Sequence, residues 1–346
     1  MSNNLPTYLS KMLKCVLLLH VVFILGSKNG WSQDPVFSQF YANPIYLNPA
    51  FAGTTSMPKV HLNFRDQWPA FNHAYVSYAA SYDQYFESLN SGIGVQFIGD
   101  NAGGGIYNTV AVGAIYSYQI NFSDAFAMKV GLQGDFHQKS LDFNKLLFYD
   151  QIDPVTGFYD PGNNLNPTGE TAPFDNNVSY LDVHTGVLAF TERFFFGGSV
   201  RHLTQPVESF GTDFSARLPM RYTVHAGARL GDLENSSNSV TLSPNIMYTQ
   251  QDAFRQLNAG SYLKLGYIMG GLWYRYNVNY SDAVIFLLGV QKSMFTFGYS
   301  YDWTLMDLGG QTGGTHELSV ILNFDDLENN NSRRSLYESL RCPSLF

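Results

Sequence analysis

The chain has 346 residues, a formal net charge of -8 and a charged fraction of 14%, well below the ~25% that is usual in soluble globular chains. Aromatic residues reach 16%, yet the mean hydropathy is only -0.12. A helical membrane protein would need several apolar runs of ~20 residues, and the only long apolar run is N-terminal. The absence of a basic stripe also argues against nucleic-acid binding.

The first segment, residues 1–32, is predicted to be a secretory signal peptide. Two lysines precede an apolar core at residues 16–25, and small residues end at Ser32, after which we expect cleavage. The alternative is an uncleaved membrane anchor. The apolar core is short for a membrane span and contains His20, which favours the signal peptide.

The next segment, residues 33–58, is rich in Asn, Pro and aromatic residues and has no clear hydrophobic period. The sequence allows two locations for this segment. It could fold into the lumen of the barrel predicted below or run along its periplasmic rim.

From about residue 59 the apolar residues recur at every second position, as in strands with one apolar face. Fourteen such segments are predicted, at 59–66, 73–84, 91–99, 107–121, 125–138, 179–191, 193–203, 220–231, 239–250, 254–267, 270–278, 283–292, 294–303 and 315–324. Most reach the ~9–11 residues that cross a membrane as a tilted strand. The sequence therefore predicts an all-β fold, a transmembrane outer-membrane β-barrel of about 14 antiparallel strands within residues 59–324.

The lengths of the connections support this count. The long gaps at 139–178, 204–219 and 304–314 follow odd-numbered segments, and the short gaps at 192, 268–269 and 293 follow even-numbered ones. Bacterial barrels have long outer loops and short periplasmic turns, so both termini are expected in the periplasm. The polar residues 325–346 would then form a periplasmic tail. Its Cys342 would be the lone cysteine of the processed chain, without an assigned role.

A soluble β-sandwich also alternates apolar and polar residues and is the competing fold. The predicted strands are longer than the ~5–6 residues that are usual, and their polar faces carry little charge. Aromatic residues also gather at segment ends, as membrane interfaces require; examples are Tyr78, Tyr82, Tyr85, Phe86, Tyr116, Tyr118, Phe122, Tyr299, Tyr301 and Trp303. These features favour the barrel.

Because side chains alternate along each predicted strand, one set of polar side chains points into the lumen. Its charged members include Arg65, Arg221, Arg229, Arg275 and Glu317. Opposite charges can pair across the lumen, which lowers the cost of burying them. The set is consistent with a polar channel, with a docking site for the N-terminal segment, or with structural filling of a closed barrel.

Glycines recur in the middle of the predicted strands, and parity places several on the lumen face. Examples are Gly113, Gly131, Gly186, Gly227, Gly260, Gly289 and Gly298. They either make room for a plug or a narrow pore, or relieve strain in a curved sheet.

Two predicted outer loops carry aromatic residues that suit protein binding. These are Phe143, Phe148, Tyr149, Phe158, Tyr159 and Phe174 in residues 139–178, and Phe210 and Phe214 in residues 204–219. We interpret these two loops as the candidate surface for an exported partner.

No catalytic, cofactor-binding or metal-binding residues are predicted, so the chain is not expected to be an enzyme and no cofactor is expected. The pair His316-Glu317 lacks the second histidine of the zinc-protease motif, and the run at residues 103–105 lacks the lysine of a phosphate loop. Asp150, Asp153 and Asp160 do not have the ligand spacing of a calcium loop.

Residues 33–53 read QDPVFSQFYANPIYLNPAFAG, and residues 313–317 read GGTHE at the start of the last predicted strand. This pattern resembles the PorP/SprF family over essentially the whole processed chain, with weaker support from residues 218–222 and 341–343. The residues that match its signature are Asp34, Pro35, Gln39, Phe40, Tyr41, Asn43, Pro44, Asn48, Pro49, Gly53, Gly313, Gly314, His316 and Glu317. The insert at residues 139–178 matches least.

The resemblance implies an outer-membrane protein of Bacteroidetes-type bacteria that serves type IX secretion. The implied partners are an exported adhesin-like cargo with a C-terminal sorting domain, of which gliding adhesins are one example, and periplasmic or lipoprotein components of the machinery. The expected function is therefore to bind such a cargo and to aid its export or surface attachment. The alternative is an outer-membrane channel or transporter for small or hydrophobic solutes.

Overall fold

The protein is seen in a computed structural model that describes residues 34–55, 57–71, 74–171, 176–210, 216–231, 240–278, 280–305 and 309–324. The predicted signal peptide, the predicted tail at 325–346, Phe174 and Phe214 lie outside the described residues.

Fourteen strands account for most of the described chain. They are β1 (Lys59–Gln67), β2 (Tyr75–Phe86), β3 (Ser91–Ala102), β4 (Tyr107–Ser123), β5 (Phe126–Leu141), β6 (Asn177–Phe190), β7 (Phe194–Arg201), β8 (Arg221–Ala228), β9 (Val240–Gln251), β10 (Phe254–Leu265), β11 (Ile268–Asn277), β12 (Tyr280–Lys292), β13 (Phe295–Thr304) and β14 (Thr315–Asn323). A short stretch, Leu230–Gly231, follows the end of β8, continues β8 and also pairs with β9. Each predicted segment corresponds to one of these strands.

Every strand pairs in antiparallel register with the next one along the chain, and β14 pairs with β1. That last ladder runs from Lys59 opposite Asn323 to Gln67 opposite Thr315. The sheet is therefore closed, and the prediction of an antiparallel barrel of about 14 strands is confirmed.

Side chains alternate between the two surfaces of the wall, and β5 shows the pattern most clearly. Its inward residues include Lys129, Gln133 and Asp135, which are buried, whereas Val130 and Leu132 are exposed on the outside. An apolar outer face and a polar inner face are what a barrel in lipid requires.

The two ends of the barrel differ. The longest connections, residues 142–176 and 202–220, lie at one end, here called the long-loop end. At the other end, here called the turn end, β4, β6, β10 and β12 are followed by connections of only two or three residues. The two ends therefore offer very different surfaces.

Within the described ranges, helical structure is limited to short turns: Phe40–Ala42, Pro44–Leu47, Pro49–Phe51, Pro69–Phe71, Glu87–Leu89, Phe143–Lys145, Tyr149–Gln151 and Gly309–Thr312. In the described part of the chain, no helix has the length and apolar character to cross a membrane. Three of these turns belong to the segment before β1, which has its own place in the fold.

The outward face of β5 gives a test of its position in lipid. Leu132 lies near the middle of this strand and is 55% exposed. We expect Leu132→Arg to lower the free energy of unfolding by about 2–4 kcal/mol, the cost of a cation near the bilayer midplane. Denaturant titration of the protein in lipid vesicles measures this difference. Leu132→Phe is the matched control and should unfold like the wild type; equal stability of the arginine variant would contradict a lipid-facing β5.

Candidate functional site: the occupied lumen and the long-loop end

Residues 35–55, here called the plug, lie inside the barrel. Its buried apolar side chains are Phe37, Phe40, Tyr41, Ala42, Ile45, Tyr46, Leu47, Ala50, Phe51 and Ala52. At its start, Ser38 contacts Asp302, near the long-loop end of β13; at its finish, the Gly53 N–H donates to Asp83 Oδ2 at 2.7 Å, near the turn end of β2. The structure therefore places this segment in the lumen and not along the periplasmic rim. The plug runs along the lumen from the half near the long-loop end to the half near the turn end.

Glu317 on β14 holds the first part of the plug. Its carboxylate accepts hydrogen bonds from the backbone N–H of Ser38 at 2.6 Å and of Gln39 at 3.0 Å. The side chain of Gln39 donates to the Glu317 carbonyl at 2.9 Å and accepts from Ser319 Oγ at 2.6 Å. A fully buried carboxylate is therefore satisfied by plug amides, as burial of a charged acceptor demands.

Two arginines neutralise this region. Arg65 Nη1 lies 3.3 Å from Glu317 Oε2 and 3.3 Å from Asp302 Oδ2, and Arg275 Nη2 also contacts Asp302. Two guanidinium groups thus face two carboxylates, all nearly inaccessible to solvent. Because removing one partner of a buried ion pair leaves an uncompensated charge, the four side chains depend on one another.

Two further arginines lie on the opposite side of the plug. The Arg201 guanidinium lies 4.3 Å above the Tyr46 ring and donates to the Tyr46 carbonyl at 3.2 Å. Arg221 reaches the Tyr46 hydroxyl at 3.5 Å. Arg229 is different: it lies half-buried in the break between β8 and Leu230–Gly231. Four of the five charged residues predicted for the lumen therefore line the plug, and Arg229 lies apart from these contacts.

Asn48 is the central polar anchor of the plug. Its Nδ2 donates to the carbonyl of Val187 at 3.0 Å and lies 3.2 Å from the carbonyl of Gly198, while its Oδ1 accepts from Ala50 N at 2.9 Å. The same Nδ2 lies 3.2 Å from His225 Nε2. One amide side chain thus connects the plug to β6, β7 and β8.

Lys129 anchors the end of the plug. Its fully buried ammonium group donates to the carbonyls of Ala52 at 2.7 Å and Gly53 at 2.6 Å. Ser117 Oγ also donates to Ala52 O at 2.7 Å. A buried cation with several hydrogen-bond acceptors holds the chain in place just before it turns into β1.

A further set of contacts between the plug and the wall is an aromatic cluster inside the barrel. The Phe40 ring meets Trp273 edge-on at 4.9 Å, and Phe51 stacks on His225 at 5.3 Å. Tyr41 meets Phe195 edge-on at 5.8 Å. Aromatic pairs at these distances are each worth about 0.5–1.5 kcal/mol beyond the area they bury. The plug therefore supplies one part of a hydrophobic core, and the inner wall supplies the larger part.

Lumen glycines provide the space for the plug. A Cβ added at Gly131 would lie 2.3 Å from Ala50 N, one at Gly92 would lie 2.2 Å from Ala52 O, and one at Gly186 would lie 2.0 Å from Asn48 Oδ1. These distances are far inside van der Waals contact. Of the two explanations offered for the glycines, the structure supports room for a plug at these positions.

The family-signature residues divide into two groups. Gln39, Phe40, Tyr41, Asn43, Asn48, Pro49 and Gly53 are buried in the plug, with Pro35 and Pro44 partly exposed there and Asp34 at the start of the described chain. Gly313 and Gly314 have left-handed φ angles of 75° and 73°, and the Gly314 carbonyl accepts from Trp68 N at 2.9 Å. His316 lies near the wall surface beside Tyr299, whereas Glu317 points at the plug. The two separate sequence motifs therefore meet through Glu317.

The connection at residues 142–171 forms an ordered surface at the long-loop end. Asp150, Asp153 and Asp160 each accept a backbone N–H, from Gly169, Val155 and Asn164 respectively. These hydrogen bonds hold the pKa of each carboxyl below its usual value, so the turns persist at neutral pH and weaken as pH falls. The carboxylates thus act as turn caps within the loop.

The predicted partner aromatics are not equally accessible. Tyr149 is 91% exposed, and Tyr159 is also exposed. Phe143, Phe148, Phe158 and Phe210 are only partly exposed: Phe143 and Phe148 pack on each other at 5.0 Å, and Phe210 packs on Tyr107 at 6.0 Å. The exposed rings are therefore free to meet a partner, whereas the others help to shape the loops.

The described parts of the connection between β7 and β8, residues 202–210 and 216–220, are here called the cap. Its Glu208 forms an ion pair with Lys139 of β5, whose ammonium lies 5.8 Å from the Tyr180 ring. Leu218 is 1% exposed. The cap is thus held against β4, β5 and β6.

Sequence reasoning missed a cluster of histidines and carboxylates at the base of the cap. Alternation along β5 and β6 directs Asp135, Asp182 and His184 into the lumen. Nothing in the sequence connects them with His137 or with His202, which follows β7 directly. In the structure, Asp135, His137 and His184 form one group of possible ligands, and Asp182, His184 and His202 form another. Only the fold brings these residues together.

A closed antiparallel sheet with an apolar outer face and a polar, occupied interior defines an outer-membrane β-barrel protein. The chain belongs to the family described as type IX secretion system membrane protein PorP/SprF, whose model matches residues 29–322. The family assigns it to type IX secretion, in association with the secretion machinery and its cargo in general.

Solved structures with similar folds include three outer-membrane proteins. Omp33 of Acinetobacter baumannii is 8% identical, with 79% of this chain and 100% of that chain covered at a TM-score of 0.43. The toluene transporter TbuX of Ralstonia pickettii is 9% identical (80% and 91% covered, TM-score 0.44), and a FadL homologue of Pseudomonas aeruginosa is 11% identical (80% and 93% covered, TM-score 0.40). No curated protein matches the chain in sequence.

The glycines on β5 give a test of the plug. We expect Gly131→Ala to disturb the seat of Ala50 and to lower the free energy of unfolding by about 1–3 kcal/mol, the usual cost of overpacking. Gly134→Ala is the matched control, because an added Cβ there meets nothing within 4 Å. Thermal unfolding in detergent compares the two. A Gly131→Ala protein as stable as the Gly134→Ala protein would contradict the described seat of the plug.

Proposed function

We propose that the protein binds an exported, adhesin-like surface protein through that protein's C-terminal sorting domain and aids its export or surface attachment, without catalysing a reaction. The observation that carries the proposal is the occupied lumen. Residues 35–55 fill the path along the barrel and are held by β1, β2, β4, β5, β6, β7, β8, β11, β13 and β14. A barrel with such an interior offers its ends as working surfaces.

The long-loop end has the features of a protein-binding surface. Tyr149 and Val155 are 91% and 90% exposed, and Leu147, Ile152 and Tyr159 are exposed beside them in sequence. Accessible aromatic and aliphatic side chains on a loop braced by its own hydrogen bonds can bind with little loss of conformational entropy. Residues 142–171 also carry five acidic residues and one basic residue, so a partner surface with basic groups around an apolar patch would be complementary.

The orientation belongs to the same proposal. Long loops on the cell surface and short turns in the periplasm are the usual arrangement of bacterial barrels. The signal peptide would then be removed after Ser32, and residues 325–346 would lie in the periplasm as a tail. Periplasmic or lipoprotein components of a Bacteroidetes type IX machinery would meet the turn end, and the cargo, a gliding adhesin among the candidates, would meet the long loops.

Removing part of the long loop tests cargo binding. We expect deletion of residues 150–172 to leave barrel assembly intact, because no strand is touched, and to abolish retention of the cargo at the surface. Mass spectrometry of material co-purified from outer membranes identifies the cargo, and surface labelling of intact cells measures its retention. Unchanged retention would contradict the proposal.

A finer variant separates the exposed side chains from the loop as a whole. Tyr149→Ser combined with Val155→Ser should reduce retention at least ~10-fold, since exposed anchors of this type contribute more than 1 kcal/mol each when they are hot spots. Leu89→Ser is the matched control, because Leu89 is 58% exposed in the β2–β3 connection at the opposite end. Equal losses in both variants would indicate a general defect in folding rather than a binding surface.

A channel for small or hydrophobic solutes is the competing function. It requires an open path, whereas the plug makes charged, polar and aromatic contacts along the lumen. Planar-bilayer recordings separate the two functions: the proposed anchoring barrel conducts no ions, and a steady conductance in the unmodified protein would favour the channel.

A further inference from the structure

Strand pairing in the barrel wall is shortest between β6 and β7, and this place is here called the notch. β6 pairs with β5 from Asn177 to Phe190, but its ladder with β7 covers only Thr185 to Phe190. Beyond that ladder the cap contacts β6, and its first hydrogen bond runs from Leu203 N to Val183 O at 3.0 Å. The connection between the wall and the cap therefore rests on a few side chains at this notch.

Three buried side chains meet at the notch. Asp182 and His184 are two positions apart on β6 and so share its inner face, and His202 is the first residue after β7. Asp182 and His184 are each 1% exposed and His202 is 0% exposed. Their possible ligand atoms all lie within 4.8 Å of one another, with Asp182 Oδ2 4.0 Å from His184 Nδ1.

His184 is oriented as histidines at metal centres are. Its Nε2 donates to Asp135 Oδ2 at 2.9 Å, and Asp135 is itself fixed by Gln133 Nε2 at 2.9 and 3.0 Å. Its Nδ1 accepts from the backbone N–H of His202 at 3.0 Å, which assigns the proton to Nε2 and leaves a lone pair on Nδ1. A carboxylate behind a histidine in this way sets the tautomer and raises the basicity of the ligand nitrogen.

His202 is held in an uncommon conformation. Its φ angle is 59°, in the left-handed region that few non-glycine residues occupy. A residue that is buried in this conformation is maintained by its surroundings, and such residues cluster at functional sites. Here the conformation directs His202 Nδ1 at Asp182 Oδ2, while Thr204 Oγ1 donates to Asp182 Oδ1 at 2.7 Å. Two possible ligand atoms on β6 and one on the residue after β7 therefore lie close together.

We propose that Asp182, His184 and His202 bind one divalent transition-metal ion and that Zn²⁺ is its natural occupant. Imidazole nitrogen and carboxylate oxygen are Zn²⁺ ligands, with bonds of about 2.0–2.2 Å, and three protein ligands leave one position for water. Binding requires His184 Nδ1 to give up its hydrogen bond from His202 N. It also requires His202 Nδ1 to lose the proton that it donates to Asp182 Oδ2 and to move apart from that oxygen. Two carboxylates, Asp135 and Asp182, face one nearby guanidinium, Arg201, at 4.0 Å from Asp135, so the cluster can accept a cation.

The ion would have a structural role. It connects the inner face of β6 to the first residue after β7, across the notch, and so ties the base of the cap to the wall. Asp182, His184 and His202 make none of the plug contacts described above, although Arg201 lies beside both the plug and Asp135, and they lie outside the exposed loop of the proposed partner surface. Metal binding can therefore be tested independently of cargo binding.

The test uses the full processed barrel, stripped with a chelator and titrated with Co²⁺ as a spectroscopic substitute and then with Zn²⁺. We expect one equivalent of Co²⁺ per chain, with the visible bands of tetrahedral coordination, displaced by Zn²⁺. Zn²⁺ should also raise the thermal unfolding temperature, because a ligand that binds only the folded state stabilises it. No saturable binding up to about 100-fold excess over protein would overturn the proposal.

Three variants locate the ion. Asp182→Asn and His202→Ala should lose the Co²⁺ bands and the Zn²⁺-dependent rise in unfolding temperature. His137→Gln is the matched control: His137 is buried nearby and belongs to the alternative group with Asp135 and His184, so it should retain both signals. Binding kept by His202→Ala and lost by His137→Gln would overturn the assignment. Circular dichroism of each variant verifies that the barrel has folded, and the wild-type titration stays decisive if one has not.

Discussion

The structure depends on the requirement that no backbone N–H or C=O group be left unpaired in lipid. An open sheet would expose a row of such groups at each edge, at a cost of several kcal/mol for each group in hydrocarbon. The ladder between β14 and β1, from Lys59 to Gln67, removes both edges at once. Once the sheet is closed, its outer face must be apolar and its inner face encloses a volume that has to be filled.

The plug fills much of this volume, and its chemistry explains the polarity of the inner wall. A lumen filled by backbone and amide side chains needs donors and acceptors, and Glu317, Lys129 and Asn48 supply or receive them. Charges buried in this way are tolerated because they are paired and hydrogen-bonded. The aromatic contacts between the plug and the β7–β12 side of the wall add the apolar part of the core. The barrel interior thus resembles the core of a soluble protein that is assembled from a wall and one inserted segment.

With the interior occupied by the plug, the two ends of the barrel present its accessible loops and turns. The long-loop end carries an exposed, internally braced loop at residues 142–171 and the cap, whose Glu208 is paired with Lys139 of β5. The notch between β6 and β7 is where the wall is shortest, and the histidine and carboxylate cluster lies there. The proposed ion site at the notch and the proposed partner surface at the loop therefore lie at the same end of the barrel, opposite the turn end.

The sequence by itself determined the strands, their number, the closed antiparallel barrel and the inward or outward direction of their side chains. It did so because alternation is local: the position of a residue such as Lys129 or Asp182 within its strand is enough to set the direction of its side chain. Residues 33–58 have no period, so the position of this segment was left open. For residues 35–55 only the tertiary structure decided it, through contacts such as that of Ser38 with Glu317, 279 positions away in the sequence. The cluster of Asp182, His184 and His202 was likewise invisible in the sequence, because a turn into the left-handed conformation after β7, rather than any residue spacing, brings His202 next to Asp182 and His184.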